Sequence, residues 1–352
     1  MADAIEIERM RDDLSRQRVV RRERAPAEGE ALARIELAAI TSNNLTYATY
    51  GGPPMHYWDF FPASAPDWGI VPLWGFATVE DSRVDGLVAG TRLYGYWPSA
   101  SHLLLRPRPV RATGFTDASP HRQALAPVYN HYRIVGEADP ARDPLIALFQ
   151  PLYGTGFVLD LALADSAPPE AVVVLTSASA KTALATAFNL TRRGVETVGL
   201  TSAGNHAFVE STGCYRRTLA YESIEMLDPG RPTILVDIAG NARHRASLHR
   251  HLEGLLASHI VGDTHRIAAP PEPLPGPAPE FFFAPTHFEA RARAMGPAGF
   301  EAALASSLSD FLAAATRWLR VEVVEGPEGY DRALTALLEG RADPAVGTVW
   351  RP

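Results

Sequence analysis

The pattern of apolar positions changes near residue 144 of the chain. Before that point, short runs of aromatic and β-branched residues are separated by glycine, proline and polar residues, which is typical of strands joined by tight turns. This pattern predicts strands at residues 31–40, 70–80, 91–97 and 101–105. The first part of the chain is therefore expected to form an all-β domain of the barrel or sandwich type.

After residue 144, short apolar runs alternate with segments of helical periodicity. The predicted helices are 144–165, 180–193, 205–212 and 243–257, and the predicted strands are 171–176, 196–201, 218–221, 233–239 and 258–262. Strands that are apolar throughout and separated by helices are typical of a parallel sheet covered on both faces. The predicted fold class is α/β, with a doubly wound parallel sheet in the second part.

The C-terminal part begins with a proline-rich segment. Residues 268–279 contain six prolines, which predicts a surface loop or a stiff linker. Three phenylalanines follow at 281–283 and are expected to pack on the core or to form an apolar contact. A helix at 298–317, a strand at 321–325, a helix at 330–338 and a strand at 347–350 complete the predicted order.

Composition and charge narrow the range of functions. The chain has 352 residues, enough for two domains, and its net charge of -7 argues against nucleic acid as a partner. The arginines between Arg16 and Arg24 lie among acidic residues and are interpreted as a solvated strand or turn. The single cysteine, Cys214, excludes an intrachain disulfide and is expected to be a packed thiol.

The N-terminal segment is acidic and has no apolar core of the signal-peptide type. No uninterrupted apolar run approaches the ~18 residues of a membrane helix. A cytoplasmic protein without a membrane partner is therefore expected.

The turn after the first parallel strand is the natural phosphate site of such a sheet, because the following helix offers free N–H groups and a partial positive charge. In this chain the turn has no Gly-x-Gly-x-x-Gly pattern, and small residues and a lysine occupy it. The candidate cofactor-binding residues are Ser177, Ala178, Ser179, Ala180, Lys181 and Thr182. The Lys181 ammonium either binds a phosphate or fills the groove and excludes a cofactor, and both interpretations stay open.

The end of the second parallel strand selects between dinucleotides. Sites for NAD usually carry an acidic residue there, which binds the ribose hydroxyls. This chain instead has Thr201, Ser202 and Asn205, with no acid among them. Neutral donors suit a 2′-phosphate, so NADP is the expected cofactor, with an ordinary polar turn as the alternative interpretation.

Several segments, taken in order, resemble the quinone-oxidoreductase-like branch of the medium-chain dehydrogenase/reductase superfamily. They resemble more closely an offshoot of that branch with a Ser/Ala-Lys-Thr nucleotide turn. Each segment is short, and the order over most of the chain carries the resemblance. The segments are GEALAR (29–34), ITSNN (40–44), VPLWGF (71–76), VAGTRLYG (88–95), SAGN (202–205), FVESTGC (208–214), LVDIAG (235–240) and GTVW (347–350).

This resemblance implies a GroES-like β-barrel domain, residues 1–143 and 322–352, and a Rossmann domain, residues 144–321. It implies NADPH-dependent reduction of a small enone, quinone or aldehyde in the cleft. Members of the family commonly dimerise, so a homodimer is expected. The resemblance also adds Tyr221, Ala239 and Gly240 to the expected cofactor-binding residues.

The chain departs from the zinc-dependent members of that family. Those members carry Cys or His where this chain has Ser42, and His in the strand where it has Trp74, Gly75 and Phe76. The loop that holds a structural zinc ion is also missing. No metal site is expected, and the chain is predicted to be zinc-independent.

Zinc-free hydride transfer needs a positioned cofactor, a hydrogen-bond donor to the substrate oxygen and in some enzymes a proton donor. Tyr47 and Tyr57 lie in the segment that lines the family's cleft and are candidate acids, with aromatic packing as the alternative. Asn44 either orients a carbonyl or caps its own backbone. Tyr50 and Thr155 are candidate substrate-pocket residues, with helix capping as the alternative for Thr155.

The leading hypothesis is a zinc-independent, NADPH-dependent oxidoreductase that acts on a small enone, quinone or aldehyde. The alternative is a non-catalytic protein that keeps a dehydrogenase fold and binds another small acidic ligand, such as an acyl-CoA, or a protein partner. The loss of the fingerprint glycines together with the presence of Lys181 favours this alternative.

Overall fold

The computed structural model describes residues 2–238, 240–262 and 273–352. The chain divides into two compact units. Unit one contains the described residues up to Leu148 and those from Val321 onward, and unit two is Phe149–Arg320. The sequence predicts the domain boundary between residues 143 and 144, immediately before a predicted helix. In the structure, the first residues of that helix, up to Leu148, belong to unit one.

The first part of the chain is rich in strands, as its alternating pattern indicates. Its elements are β1 (Ala2–Met10), β2 (Gln17–Arg24), β3 (Ala31–Ile40), α1 (Ser42–Thr49), β4 (Trp68–Gly69), β5 (Pro72–Ser82), β6 (Arg92–Pro98), β7 (His102–Leu105), β8 (Gly114–Thr116) and β9 (His131–Val135). The predicted strands at 31–40, 70–80, 91–97 and 101–105 correspond to β3, β5, β6 and β7.

The second part alternates helices and strands and then returns to unit one. Its elements are α2 (Asp143–Ser166), β10 (Val172–Leu175), α3 (Lys181–Arg192), β11 (Glu196–Thr201), α4 (His206–Thr212), β12 (Arg217–Ala220), β13 (Thr233–Asp237), α5 (Ala242–His251), β14 (Leu255–Ile260), β15 (Glu280–Phe281), α6 (Ala284–Met295), α7 (Pro297–Ala315), β16 (Arg320–Glu325), α8 (Gly326–Leu338) and β17 (Val346–Arg351).

Unit one is built on an eight-stranded sheet with the order β16-β17-β3-β5-β6-β9-β8, and β7 also pairs with β3. Inward-facing residues of β3, β5 and β6 form its core, as period-two alternation requires. Strands β3 and β5 approach so closely at Gly75 that a Cβ there would lie 2.0 Å from the Leu37 carbonyl oxygen. Only glycine permits this pairing.

The arginine-rich segment near the N-terminus forms the β1–β2 hairpin. Arg18 pairs with Glu8 at 2.6 Å, and Arg22 pairs with Glu6 at 2.8 Å. These arginines of β2 face acids of β1 across the hairpin. The predicted strand is therefore present, and arginines that were expected to be solvated are paired with acids of β1.

Unit two is built on a parallel sheet with the order β12-β11-β10-β13-β14-β15. The chain proceeds outward from β10 to β12, then returns to the other side of β10 and proceeds outward again. This order is that of a doubly wound Rossmann sheet. The predicted fold class, a GroES-like β-barrel domain together with a Rossmann domain, is confirmed.

One sequence prediction in unit two is wrong in detail, and the expectation of core packing for residues 281–283 holds for one of the three. The helix expected at 243–257 ends at His251, and strand β14 begins at Leu255. Between them, the Gly254 N–H donates to the Pro229 carbonyl oxygen, and the Gly254 carbonyl oxygen accepts from the Thr233 N–H, so the backbone here pairs with the segment before β13 and not within a helix. Of the three phenylalanines, only Phe282 is buried, whereas Phe281 and Phe283 are 65% and 43% exposed.

Helix α2 is the longest apolar segment of the described residues. By length and composition it is able to span a membrane, so the expectation that no segment reaches that size is wrong. The helix is not an isolated span, because 61% of its most apolar window is buried within the protein. Packing of a core helix accounts for its composition.

Cys214 is a buried free thiol, as its sequence context predicts. Burial raises the pKa of this thiol to about 11. A thiol that stays protonated at neutral pH is a poor nucleophile, so Cys214 has a packing role.

Candidate functional site

The strand order of unit two reverses between β10 and β13, and this reversal opens a crevice at the carboxyl ends of the two strands. Ligands of doubly wound sheets bind at such a point. The connections that follow β10, β11, β12 and β13 contribute the side chains that border this crevice.

The turn after β10 is built from small residues and is held by bonds within the protein. Ser177 adopts a left-handed conformation with φ 50°, which is uncommon for a residue other than glycine. Its N–H group donates to the Tyr221 hydroxyl oxygen at 2.7 Å. The N–H groups of Ala178 and Ala180 donate to the carbonyl oxygens of Leu200 and Ser177. Three N–H groups of the turn are thus already engaged.

Helix α3 begins immediately after this turn without a side-chain cap. Its first helical hydrogen bond runs from the Leu184 N–H to the Ala180 carbonyl oxygen. The N–H groups of Lys181 and Thr182 precede that bond and have no carbonyl to pair with in a regular helix. The start of α3 therefore carries unpaired donors and the positive end of the helix dipole.

The Lys181 side chain is half-buried beside the Phe149 ring, with Nζ 6.0 Å from the ring centroid. Within the part of the chain that the structure describes, its ammonium has no hydrogen bond and no ion pair. Burial lowers the pKa of Lys181 to about 8. The Lys181 ammonium is therefore available to a ligand, and its burial destabilises the folded protein when no ligand is bound.

The turn after β11 lies beside the turn after β10. Thr201 is buried, Ser202 is exposed, and the Asn205 amide donates to the Ser179 hydroxyl oxygen at 3.2 Å. This bond brings together two of the segments that the sequence predicts as cofactor-binding. No carboxylate belongs to either turn, so their border of the crevice is neutral or positive.

Asp237, at the end of β13, anchors the opposite border of the crevice. Its Oδ1 accepts from the Thr176 hydroxyl at 2.8 Å and from the Gly240 N–H at 3.0 Å. Its Oδ2 accepts from Arg245 Nη1 at 2.6 Å. Both oxygens of this buried carboxylate are used, which indicates a structural role. Ala239, predicted with Gly240 to contact a cofactor, lies outside the described residues.

Tyr221 and His244 close the crevice next to this anchor. Their rings stack with centroids 3.9 Å apart and an interplanar angle of 19°. Burial raises the pKa of Tyr221 to about 12 and lowers the pKa of His244. The Tyr221 hydroxyl is engaged by Ser177, so the ring is the part of this predicted residue that remains for contact with a ligand.

Unit one contains a cluster of tyrosines around α1 and β6. The Tyr47 hydroxyl oxygen accepts from Trp74 Nε1 at 2.8 Å and from the Asn43 amide at 2.7 Å. The Tyr57 hydroxyl lies 3.0 Å from the Tyr129 hydroxyl. Burial raises the pKa of Tyr47 and of Tyr57, so both phenols stay protonated at neutral pH.

Tyr96 and Tyr129 belong to the same cluster and are not evident from the sequence. The Tyr96 ring lies 5.2 Å from Tyr47 and 4.7 Å from Tyr129, centroid to centroid. Among the described residues, the buried Tyr96 hydroxyl has no hydrogen-bond partner. A signal for Tyr129 is the segment YNHY at 129–132, which lies outside the segments that carry the family resemblance, whereas the alternation of β6 marks Tyr96 only as a core residue.

Asn44, a candidate catalytic residue, and the candidate pocket residues Tyr50 and Thr155 differ in the environments that they occupy. Asn44 is buried, its Oδ1 accepts from the Thr41 N–H at 2.6 Å, and its amide donates to the Pro72 carbonyl oxygen at 2.8 Å. These bonds cap α1 and favour the capping interpretation. Tyr50 packs at the edge of the tyrosine cluster. Thr155 lies in the middle of α2, so the alternative of helix capping is wrong for it.

The positions that correspond to the zinc ligands of the zinc-dependent family members hold other residues. Trp74 donates to Tyr47, and Gly75 permits the close approach of β3. Within the described ranges, no group of three or more His, Cys, Asp or Glu side chains is placed to hold a metal ion.

Solved structures share the fold of the whole chain. CurA from Vibrio vulnificus is 16% identical, with a TM-score of 0.66, and covers 99% of this chain and 98% of its own. CurA has also been solved in complex with NADPH. Mycobacterial Rv1454c, solved with NADPH, is 14% identical with a TM-score of 0.59, and the match covers 99% of this chain and 100% of Rv1454c.

A thermostable alcohol dehydrogenase from Pyrobaculum aerophilum is 13% identical, with a TM-score of 0.57 and full coverage of both chains, 100% each. Identities this low show the fold and not the activity. This chain therefore shares its fold with these solved structures, in agreement with the two-domain fold that the sequence resemblance implies.

Comparisons of sequence give a more specific assignment. No curated protein matches the chain at a significant level. The family model described as "Protein of unknown function (DUF2855)" matches residues 38–343. Because this match spans both units and most of the chain, the protein belongs to the DUF2855 family.

Proposed function

We propose that this protein is an NADPH-dependent oxidoreductase that reduces a small enone, quinone or aldehyde without zinc. The electrostatic character of the crevice carries the proposal. The turns after β10 and β11 present the Lys181 ammonium, the uncapped start of α3 and the neutral donors Ser202 and Asn205, without a carboxylate. Such a border attracts a phosphorylated dinucleotide.

The residues of the turn after β10 suit a phosphate mainly because they offer positive charge. They do not form the glycine-lined loop whose backbone N–H groups usually bind a pyrophosphate. The N–H groups of Ser177, Ala178 and Ala180 are engaged within the protein. The donors that remain are the first N–H groups of α3 and the Lys181 ammonium. The absence of an acid after β11 favours NADPH over NADH, because a carboxylate there would repel the 2′-phosphate.

Bound NADPH would supply the hydride for the reduction. The tyrosines of unit one would supply the proton to the substrate oxygen, with Tyr57 as the preferred donor and Tyr47 as the second candidate. Tyr57 is preferred because, among the described residues, its hydroxyl pairs with Tyr129 alone, whereas the Tyr47 oxygen already accepts two hydrogen bonds. Zinc independence is proposed because Ser42 and Trp74 occupy the positions of the zinc ligands.

Calorimetric titration with NADPH, NADH and CoA tests the proposal. Saturable binding of NADPH, with NADH at least about tenfold weaker, is the expected result. Enones, quinones and aldehydes are then screened for substrate-dependent loss of NADPH absorbance, with and without a zinc chelator. The proposal fails if neither nicotinamide dinucleotide binds.

Replacement of Tyr57 by Phe tests the proton donor once a substrate is known. General acid catalysis is worth roughly 10²–10⁴-fold, so kcat is expected to fall at least about tenfold with little change in KM. Tyr94→Phe is the matched control, because Tyr94 is a buried tyrosine nearby whose hydroxyl has no partner among the described residues. Equal turnover of wild type, Tyr57→Phe and Tyr47→Phe would refute the assignment of the proton to these tyrosines.

The second candidate function is binding of another acidic ligand, such as an acyl-CoA, or of a protein partner, without catalysis. The specific observation in its favour is the bond from the Ser177 N–H to Tyr221, which occupies a donor that fingerprint turns offer to a pyrophosphate. Displacement of NADPH by CoA esters, or CoA binding in the absence of NADPH binding, would support this candidate.

A homodimer in the cytoplasm completes the proposal. Strand β15 is last in the order of the parallel sheet, and the exposed Phe281 and Phe283 lie in and next to it. An edge strand with exposed aromatic residues suits pairing with a second copy.

A further inference from the structure

The chain uses arginine for almost every positive charge. Lys181 is its only lysine, and the other 32 of its 33 basic side chains are arginines. Arginine serves in exposed pairs such as Arg231 with Glu196 and in buried pairs such as Arg122 with Asp117. The single exception therefore falls in the turn after β10, at the position where the fingerprint glycines would allow a phosphate to approach.

The surroundings of Lys181 are also unlike those of a structural cation. Structural cations of this chain face carboxylates, as Arg245 faces Asp237. The carboxylate of Asp237 is fully occupied by Thr176, Gly240 and Arg245 and so is not a partner for Lys181. Lys181 is instead half-buried without an acid, at the positive end of α3, where a cation is disfavoured by the helix dipole.

Lysine and arginine differ in the space and geometry that they need. An ammonium concentrates its charge and three donors on one atom, whereas a guanidinium spreads them over a plane. The first residue of α3 is bordered by the small turn residues 177–180 and by the Phe149 ring. A compact cation suits this border, and the unpaired N–H groups of the first turn of α3 belong to Lys181 and its neighbours in the chain.

We infer that Lys181 is the specific anion-binding residue of this turn, that its ammonium holds a phosphate of the ligand at the start of α3, and that arginine does not replace it there. The inference rests on the proposed function only for the identity of the ligand as NADPH. The recognised chemistry is a phosphate or pyrophosphate group. The same inference rejects the interpretation in which Lys181 fills the groove and excludes ligands.

The uniqueness of Lys181 makes it directly observable. An acetylating N-hydroxysuccinimide ester at pH 8 reacts with only two kinds of amine in this chain, Lys181 and the N-terminal amine, which mass spectrometry of peptides distinguishes. Saturating NADPH is expected to slow acetylation of Lys181 at least about tenfold and to leave the N-terminal amine unchanged. An unchanged rate at Lys181, with saturation verified by calorimetry, overturns the inference.

Two substitutions separate charge from the identity of the side chain. Lys181→Met and Lys181→Arg are both expected to weaken NADPH binding at least about tenfold, as measured by calorimetry. Arg192→Met is the matched control, because it removes a positive charge from the exposed C-terminal end of the same helix and is expected to leave binding unchanged. Melting curves verify that each variant is folded.

Two results of this series overturn the inference. Equal binding by Lys181→Met would show that the ammonium does not hold the phosphate, and tighter binding would show that the side chain blocks the groove. Binding by Lys181→Arg at the wild-type level would show that any cation suffices.

Inorganic pyrophosphate separates failure of this inference from failure of the proposed function. If the wild type binds no nicotinamide dinucleotide, the proposed function fails, and the same labelling and variants are carried out with pyrophosphate. Protection of Lys181 by pyrophosphate in the wild type, together with loss of calorimetric pyrophosphate binding in Lys181→Met, would support the inference independently of NADPH. Absence of pyrophosphate binding to the wild type would then overturn it.

Discussion

Charged side chains at the crevice differ in how many of their polar atoms have hydrogen-bond or ion-pair partners within the protein. Asp237 uses both of its oxygens for bonds to Thr176, Gly240 and Arg245, so this charge serves the fold. Lys181 has no partner among the described residues, although it is half-buried at the unfavourable end of a helix dipole. A charge that the fold does not satisfy is retained for something other than stability.

Replacement of Lys181 by Met is therefore expected to stabilise the protein. Burial lowers the pKa of Lys181 from 10.5 to about 8, so below pH 8 the folded protein carries the full cost of a desolvated ammonium. Between pH 8 and 10.5 the unfolded chain binds the extra proton, and the cost is relieved as the pH rises. Discounted for partial exposure, the gain at pH 7 is on the order of 1–3 kcal/mol.

Urea unfolding of wild type and Lys181→Met at pH 7 and pH 10 measures this difference. The advantage of the variant should be largest at pH 7 and should shrink at pH 10. A wild type that is more stable than the variant at pH 7 would mean that Lys181 has a stabilising partner in the folded protein.

At the scale of elements, Asp237 joins three of them at the crevice. It ends β13, holds the residue after β10 through the Thr176 hydroxyl, and holds the first turns of α5 through Arg245. The turn after β10 keeps its left-handed Ser177 partly because Tyr221, after β12, accepts its N–H. The shape of the phosphate turn thus depends on residues from several separate connections.

Asp237→Asn is expected to destabilise unit two strongly. The substitution leaves Arg245 as a largely buried cation without a carboxylate, which typically costs about 3–5 kcal/mol. Glu196→Gln is the matched control, because it breaks an exposed pair with Arg231, worth at most ~1 kcal/mol. Urea unfolding compares the two variants, and equal losses would show that the Asp237 anchor contributes no more than a surface pair.

At the scale of the whole molecule, the edge of the parallel sheet is the place where a second copy is expected to bind. Among the described residues of this region, Phe281 and Phe283 stack with centroids 6.4 Å apart and are both exposed. Large exposed aromatic residues at a strand edge are unfavourable in a monomer. Covering them in a homodimer removes both the apolar surface and the open edge.

The double substitution Phe281→Asp with Phe283→Asp is expected to convert this homodimer into a monomer. Two negative charges brought against their copies at an apolar contact oppose association. Light scattering coupled to size-exclusion chromatography measures the mass. The control is Met226→Asp, at an exposed apolar residue distant in sequence, which should leave the mass unchanged. A wild-type monomer would refute the dimer.

Much of the element order was predictable because it depends on local periodicity. Strand β3 was predicted with its exact bounds, since its alternation follows a clear turn, and α3 was predicted to within one residue at each end. The helix expected at 243–257 was too long because apolar residues continue into β14, whose state depends on pairing with β13. Helices α1 and α6 were not predicted, since neither has a strong apolar stripe.

The sequence by itself determined which residue types stand at the turns of the parallel sheet, because the order of apolar strands places the phosphate turn at 176–183 and excludes its glycines. It also determined that the zinc positions hold no ligands. Tertiary structure alone decided which polar side chains have hydrogen-bond or ion-pair partners. The bonds from Thr176 and Arg245 to Asp237, the Tyr221 contact with Ser177 and the pairing of Tyr57 with Tyr129 join residues distant in sequence, and periodicity carries no information about such contacts. The unpaired state of Lys181 is visible only once those partners are in place.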